Sequence, residues 1–179
     1  MGKTSREKGK DFERQVANKL KSYGFEDAHR TAQYRGDTGQ APDVEGLPGI
    51  HIECKACETP QAFKWINQAT RDAANNEQIP VVIWKQSYRP WVAIMTVKDF
   101  LLFRKFRRIT QTDVIFRKHE GMNTHIIKWL NEARNDAQAA GKYETTGVLF
   151  ERETGERLVM FFFDDFMRLY LMRERKNEF

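Results

Sequence analysis

The most informative part of the chain is residues 42–56, which read Pro-Asp-Val-Glu-Gly-Leu-Pro-Gly-Ile-His-Ile-Glu-Cys-Lys-Ala. Apolar and polar residues alternate over Ile50–Ala56, and a period of two predicts a strand that carries Glu53 and Lys55 on one face. A Leu-Pro-Gly turn separates this strand from a shorter one that begins at Asp43. The two strands therefore bring the Asp43 carboxylate next to Glu53 and Lys55.

Two carboxylates and a lysine at adjacent strand ends form a candidate site for a hard cation. Oxygen ligands suit Mg²⁺, which takes few protein carboxylates and keeps several waters. The lysine is placed to orient the water that attacks a phosphodiester, or to take its proton. Taken alone, Glu53 and Lys55 are better explained as an ion pair on a half-exposed strand, and Glu174-Arg175-Lys176 repeats the Glu-x-Lys pattern. The order of the surrounding elements favours the catalytic interpretation.

The flanking sequence predicts an α/β domain in which a helix, three strands, a helix, two strands and a helix follow one another. Helical spacing of apolar residues, β-rich runs and capping residues give the bounds of these elements. They are a helix over 5–22, a strand within 26–34, the two strands above, a helix from Thr59-Pro60 to Asn76 with Thr59 as its N-cap, strands over Pro80–Lys85 and Trp91–Met95, and a helix from the capping box at Thr96–Asp99 to Phe106.

Pro42-Asp43 followed by Glu53-Cys54-Lys55 resembles the signature of the PD-(D/E)XK nucleases. Gly9–Arg14 and Gln68 are similar to the Holliday junction resolvase branch of that superfamily, of archaeal and phage type, and the resemblance covers about residues 3–103. It implies a restriction-endonuclease-like αβββαβ core. It also implies Mg²⁺ as the cofactor, with Mn²⁺ expected to substitute, and a homodimer with two active sites.

The resemblance extends to individual residues of the site. It implies that Lys55 positions or activates the attacking water and that Gln68 orients the site. The implied metal ligands are Asp43, Glu53, the backbone carbonyl of Cys54 and, from the first helix, Glu13. The implied catalytic residues are Glu13, Asp43, Glu53, Lys55 and Gln68.

The formal net charge of +5 and the sequence pI of about 9.2 favour a polyanionic partner. Three groups of basic residues are candidates for contacting DNA phosphates, although a disordered tail, ordinary surface arginines and a solvated helix end explain them as well. They are Lys3, Arg6, Lys8 and Lys10 in an N-terminal arm, Arg30 and Arg35 beside the loop before Asp43, and Arg104, Lys105, Arg107 and Arg108 in the middle of the chain.

Residues 1–108 are predicted to form the nuclease core, and residues 109–179 an appended helix–hairpin–helix lobe of α+β type packed on it. Lys64–Ala73 resembles Lys128–Ala137 and Asp99–Phe103 resembles Asp165–Leu169, which indicates a partial internal duplication, or convergent patterning of two similar units. Where the first copy has Ile-Glu-Cys-Lys, the second has Phe116-Arg117-Lys118-His119. The second copy therefore lacks the Glu-x-Lys pair.

Several classes of protein are excluded by composition. No apolar run approaches the length of a membrane span, and no apolar segment follows the charged N-terminus as in a secretory signal. Two cysteines without an export signal indicate a reducing cytoplasm, which is the host cytoplasm if a phage encodes the protein. Cys54 and Cys57 lack a second pair at zinc-ligand spacing. His51 is expected to be a surface imidazole.

These observations predict a Mg²⁺-dependent endonuclease that hydrolyses phosphodiester bonds in branched DNA. A Holliday junction resolvase of DNA recombination and repair is the leading hypothesis, with four-way DNA junctions as its partner and no membrane. One alternative is another restriction or repair endonuclease of the same superfamily, which analogy of fold does not separate. An alternative of another class is a catalytically silent DNA-binding or structural protein.

Overall fold

The structure is a computed structural model that describes residues 3–31, 41–74, 77–107, 114–120, 125–141, 145–152 and 154–172. The chain divides into two compact units, Met1–Tyr88 and Arg89–Phe179.

The first unit has the element order helix, three strands, helix, strand. These are α1 (Lys3–Lys21), β1 (His29–Arg30), β2 (Val44–Glu45), β3 (Ile50–Ala56), α2 (Ala62–Ala73) and β4 (Ile79–Lys85). The strands lie side by side in the order β1-β2-β3-β4; the first two pairings are antiparallel, and β3 pairs parallel with β4. The predicted αβββαβ order of the core is confirmed.

Strand β3 is covered by two helices that pack their apolar stripes against it. Phe12, Val16 and Leu20 recur at helical spacing on α1 and are buried, as are Trp65 and Ile66 on α2. Both helices contact β3, whose first four residues are all buried, polar ones included. The alternation predicted for this strand describes its two faces correctly, but neither face is open to solvent over the first half of the strand.

The bounds of helix α2 and of the first strand differ from those predicted. Helix α2 begins at Ala62, with Gln61 rather than Thr59 as its N-cap residue. The Gln61 carbonyl accepts the first helical hydrogen bond, from the Trp65 amide at 3.1 Å, whereas the Thr59 carbonyl accepts from the Cys57 thiol at 3.4 Å. The first strand is short, covering His29–Arg30 only, and residues 32–34 of its predicted range lie outside the described residues.

The second unit contains four strands and three helices among its described residues. They are β5 (Val92–Thr96), α3 (Val97–Arg107), β6 (Val114–Glu120), α4 (Ile126–Ala139), β7 (Thr145–Glu151), β8 (Arg157–Phe162) and α5 (Phe163–Leu171). The strand order is β5-β8-β7-β6, with β6 and β7 parallel and the other pairings antiparallel. The β7–β8 hairpin confirms the hairpin predicted in this region.

The division between the units lies before β5 rather than at residue 108. Strand β5 pairs with β8 along its whole length. Phe103 of α3 stacks on Phe166 of α5, with ring centroids 5.5 Å apart. The Asp99 amide donates to Thr96 Oγ1 at 3.0 Å, which confirms the predicted cap of α3. These contacts assign β5 and α3, which the sequence pattern placed in the first domain, to the second unit.

The element order supports the predicted duplication. The succession β3-α2-β4-β5-α3 recurs as β6-α4-β7-β8-α5, and each copy begins with a parallel strand pair. Asp99 and Asp165 are 66 residues apart, as are Ile94 and Met160. Ile94 and Met160 are register partners in the antiparallel β5–β8 pair. The corresponding strands of the two copies therefore pair with each other around equivalent positions.

Gly46 allows β2 to approach the segment that precedes β1. Its φ of 102° lies in the left-handed region, and a Cβ added there would lie 2.4 Å from the Ala28 Cα. Gly24 has a similar φ of 96°, but nothing lies within 4 Å of an added Cβ. The two glycines share a backbone conformation and differ in the space around them.

We expect Gly46→Ala to destabilise the first unit far more than Gly24→Ala. Both substitutions carry the cost of a left-handed alanine, about 1 kcal/mol. Gly46→Ala adds a clash with the backbone of Ala28, which should cost about 2 kcal/mol or more beyond that. Urea denaturation of the two variants measures the difference, and equal free energies of unfolding would show that β2 does not depend on this close approach.

Candidate active site

Asp43 is held at the start of β2 by hydrogen bonds to both neighbouring segments. Its amide donates to the Ile52 carbonyl at 2.8 Å, and its carbonyl accepts from the Thr31 amide at 3.0 Å. Its side-chain Oδ2 accepts from the Cys54 amide at 2.7 Å. The backbone of β3 therefore fixes the Asp43 carboxylate beside Glu53.

Glu53, Lys55 and Gln68 form one hydrogen-bonded group. Lys55 Nζ donates to Glu53 Oε1 at 2.5 Å and to Gln68 Oε1 at 3.2 Å. Gln68 Nε2 donates to the same Glu53 oxygen at 3.1 Å. The period of two on β3 places Glu53 and Lys55 on one face, and α2 supplies the amide that joins them. The structure thus brings together three of the residues that the sequence predicted.

Glu13 and Arg30 form an ion pair within the same unit. Arg30 Nε donates to Glu13 Oε2, and the two side chains are 24% and 15% exposed. The negative charge of Glu13 also acts on Asp43, so Glu13 lies close to the predicted cluster. Arg30 was expected to contact a phosphate; in the structure its guanidinium pairs with this carboxylate.

Burial and neighbouring charge act strongly on Asp43. Burial raises the pKa of Asp43 to about 7, and the negative charge of Glu53 adds to the effect, whereas the hydrogen bond from the Cys54 amide opposes it. The proton is therefore held more tightly by the native protein than by the unfolded chain. A cation bound at Asp43 would compete with that proton.

The donor set fits Mg²⁺ better than a transition metal. The Asp43 and Glu53 side chains supply carboxylate oxygens, and Mg²⁺ commonly takes one or two protein carboxylates and completes its shell with water and substrate. Among the described residues, no group of three or more His, Cys, Asp or Glu side chains is arranged to hold a metal ion. The roles of Glu13 and the Cys54 carbonyl as ligands stay predictions.

His51 is fully buried, so its prediction as a surface imidazole was wrong. It precedes Glu53 by two residues on the same face of β3, and within the described residues neither ring nitrogen has a hydrogen-bond partner. Burial lowers the pKa of His51, and the negative charge of Asp72 opposes that shift. The parallel pairing of β3 with β4 accounts for this burial, because parallel strands are commonly buried on both faces.

The predicted DNA-contacting residues lie on two helices and beside the site. Helix α1 begins at Lys3, so Arg6, Lys8 and Lys10 lie exposed on a helix rather than in an arm. On α3, the Arg104 guanidinium lies 5.9 Å from the centre of the Phe100 ring, and Lys105 is exposed. Arg35, Arg108 and the side chains of Lys3 and Arg107 lie outside what the structure describes.

Asp43→Asn should change the pH dependence of stability in EDTA. Because the native pKa of Asp43 is raised, the free energy of unfolding of the wild type should fall as pH rises from about 4 to 7. The asparagine side chain cannot ionise, so the variant should be more stable than the wild type at pH 8, by on the order of a few kcal/mol, and similar to it at pH 4. Urea denaturation at both pH values measures this.

The exposed Asp27 provides a matched control, since Asp27→Asn removes a carboxylate that is in water. It should leave the slope of stability against pH as in the wild type. An identical slope for Asp43→Asn and the wild type would contradict the burial of an ionisable Asp43.

None of the described helices is long and apolar enough to cross a bilayer.

Comparison with known proteins assigns a family to the chain. No curated protein matches the sequence. Among solved structures, the chain is similar to Hjc, a Holliday junction resolvase from the archaeal hyperthermophile Archaeoglobus fulgidus, with 22% identity and a TM-score of 0.38 over 48% of this chain and 74% of that one. Residues 4–124, more than half of the chain, match the family described as "Phage putative PDDEXK endonuclease". The chain therefore belongs to this family of phage PDDEXK nucleases.

Proposed function

We propose that this nuclease is a Mg²⁺-dependent endonuclease that cuts branched DNA, with four-way junctions as its preferred substrate. The observation that supports this most directly is the contact of Gln68 with both Glu53 and Lys55. Gln68 and Glu13 are the positions at which the sequence resembles the resolvase branch. Gln68 bonds directly to the Glu-x-Lys pair, and Glu13 is close enough for its charge to act on Asp43.

Asp43 and Glu53 are the proposed metal ligands, and the Cys54 carbonyl and Glu13 are proposed to complete the set. When bound, Mg²⁺ supplies a positive charge that offsets the negative charge developing on the phosphoryl oxygens. The chain contributes a fixed pair of carboxylates for this purpose. Asp43 is held by the Cys54 amide, and Glu53 by Lys55 and Gln68.

Lys55 is proposed to orient the attacking water. A lysine ammonium has three donors. Two of them go to Glu53 and Gln68 in the part of the chain that the structure describes, so one remains for the water or a phosphate oxygen. Gln68 acts on the reaction through Lys55 and Glu53, and is therefore a positioning residue. The exposed Arg6, Lys8 and Lys10 on α1 are proposed to contact the DNA backbone.

A labelled four-way junction and a linear duplex of matched sequence test the reaction. The wild type should cut the junction in Mg²⁺ and not in EDTA. Asp43→Asn and Glu53→Gln should abolish cleavage while the junction is still bound, because phosphate contacts remain. Lys55→Ala should slow cleavage on the order of 10²- to 10⁴-fold. Lys64→Ala, which removes an exposed lysine of α2, is the matched control and should cut at the wild-type rate.

Three results would change the proposal. Cleavage retained by either carboxylate variant would remove the site assigned here. Equal cleavage of junction and duplex would favour a restriction or repair endonuclease. Junction binding without cleavage at any Mg²⁺ or Mn²⁺ concentration would favour a catalytically silent DNA-binding protein.

The assembly is proposed to be a homodimer, because a junction is resolved by two matched cuts and one Glu-x-Lys pair with an upstream Pro-Asp occurs in each chain. The β5–β8 pairing favours a second arrangement, in which the second copy of the repeat occupies the place of a partner within one chain. Such a monomer would carry a single site and would cut one strand at a time.

Mass and product distinguish the two assemblies. A homodimer should sediment at about twice 21.1 kDa and should linearise a cruciform plasmid within one binding event. A monomeric mass together with nicked circles as the sole product would exclude the homodimer and support the internal partner.

A further inference from the structure

The loop that follows β4 is fastened to the loop that follows β3. The Ser87 hydroxyl and the Ser87 amide both donate to Glu58 Oε1, the amide at 3.2 Å, and Gln86 Nε2 donates to the Glu58 carbonyl at 3.1 Å. The hydrogen bonds from Ser87 lower the pKa of Glu58. These bonds lie at the surface, where they hold the backbone just before Tyr88.

Tyr88 has two unusual properties in this position. Its side chain is fully exposed, the most exposed large hydrophobic residue in the described part of the chain. Its φ is 57°, in the left-handed region where a bulky side chain is strained. A folded chain keeps a strained residue only when its surroundings impose it, and such residues concentrate at functional sites. Here the strain serves to hold an aromatic ring in solvent.

The loop follows the end of β4 that lies level with Lys55 on β3. Lys55 is the register partner of Trp84, and Tyr88 follows Trp84 by four residues. At about 3.3 Å for each residue, the Tyr88 backbone is within about 13 Å of the level of Lys55 along the strands. A DNA duplex rises about 3.4 Å along its axis for each base pair, so this distance corresponds to about four base-pair steps.

Two lysines lie on the elements around this loop, together with the carboxylate of Glu58. The positive charge of Lys8, on the first turns of α1, acts on Glu58. Farther along α1, Gln15 Oε1 accepts a hydrogen bond from Lys85 Nζ at 2.7 Å, which ties the helix to the end of β4. The exposed Lys8 therefore lies near the loop clamp, and Tyr88 follows Ser87 of the same clamp. A cation beside an exposed aromatic ring is the combination that single-stranded nucleic acid binds.

We propose that Tyr88 stacks on a base exposed at the branch point of the DNA, within about four base-pair steps of the cut phosphate, and so selects branched over linear duplex. This inference deepens the proposed function and rests on it. Bases at a branch are accessible for stacking, whereas those of a continuous duplex stay paired and stacked on each other. The Glu58–Ser87 clamp positions the ring but does not touch the DNA base.

Crosslinking and binding measurements test this proposal in the Glu53→Gln background, which is expected to bind without cutting. Junctions carrying 5-iodouracil at single positions near the branch are irradiated with long-wavelength ultraviolet light, and the crosslinked residue is mapped by mass spectrometry. The residue expected is Tyr88, and Tyr88→Phe should retain the crosslink. Tyr88→Ala and Tyr88→Gly should lose it, and should bind the junction about tenfold more weakly while binding linear duplex unchanged.

Leu101→Ala removes another exposed apolar side chain and should leave junction binding unchanged. Glycine accepts the φ of residue 88 without strain, so equal losses with Tyr88→Gly and Tyr88→Ala would trace the effect to the missing ring.

Wild-type affinity for the junction in both ring-less variants would overturn the inference and leave the proposed function standing. The inference would also fall if Tyr88→Ala lowered the sedimenting mass without affecting DNA binding, since Tyr88 would then belong to a protein contact. Failure of the wild type to bind any branched DNA would overturn both proposals.

Discussion

The hydrogen bond from the Cys54 amide to the Asp43 carboxylate is the contact on which the candidate site depends. It joins a side chain of β2 to the backbone of β3, so the position of Asp43 follows from the register of two strands and not from the rotamer of a surface residue. Glu53 is the residue that precedes this amide. The same bond that orders the strands therefore sets two carboxylates side by side, and the helices α1 and α2 then enclose them.

Enclosing like charges has a thermodynamic cost, which the chain offsets in part. Burial and Glu53 raise the pKa of Asp43, while Lys55 and Gln68 hold Glu53 and Arg30 holds Glu13. Among the described residues, Lys55 and Arg30 are the cations that pair with carboxylates of this cluster. A cluster that retains such a cost is expected of a site that has been selected for function rather than for stability.

Local sequence patterns were sufficient to predict much of the fold and the residues at the centre of the site. The period of two on β3 placed Glu53 and Lys55 together, and the apolar stripe of Phe12, Val16 and Leu20 gave α1. The remaining contacts join residues that are distant in the sequence, such as Arg30 with Glu13, and local periodicity carries no information about them. The burial of His51 escaped detection for the same reason, because it depends on helices that cover both faces of the strand. The predicted division of the chain at residue 108 followed from the order of the elements and the extent of the resemblance, whereas β5 pairs with β8 across that division.

The register of β5 against β8 has a consequence for how this chain accumulates mutations. When two identical subunits meet on a two-fold axis, a residue near the axis faces its own counterpart, and every substitution appears on both sides at once. Ile94 and Met160 face each other in that manner, but they are two positions of one chain, and each has its own codon. Selection then acts on the two halves independently. The first half carries the Glu-x-Lys pair while the second has Arg117-Lys118-His119 at the corresponding place, a difference that no symmetric pair of identical subunits can show.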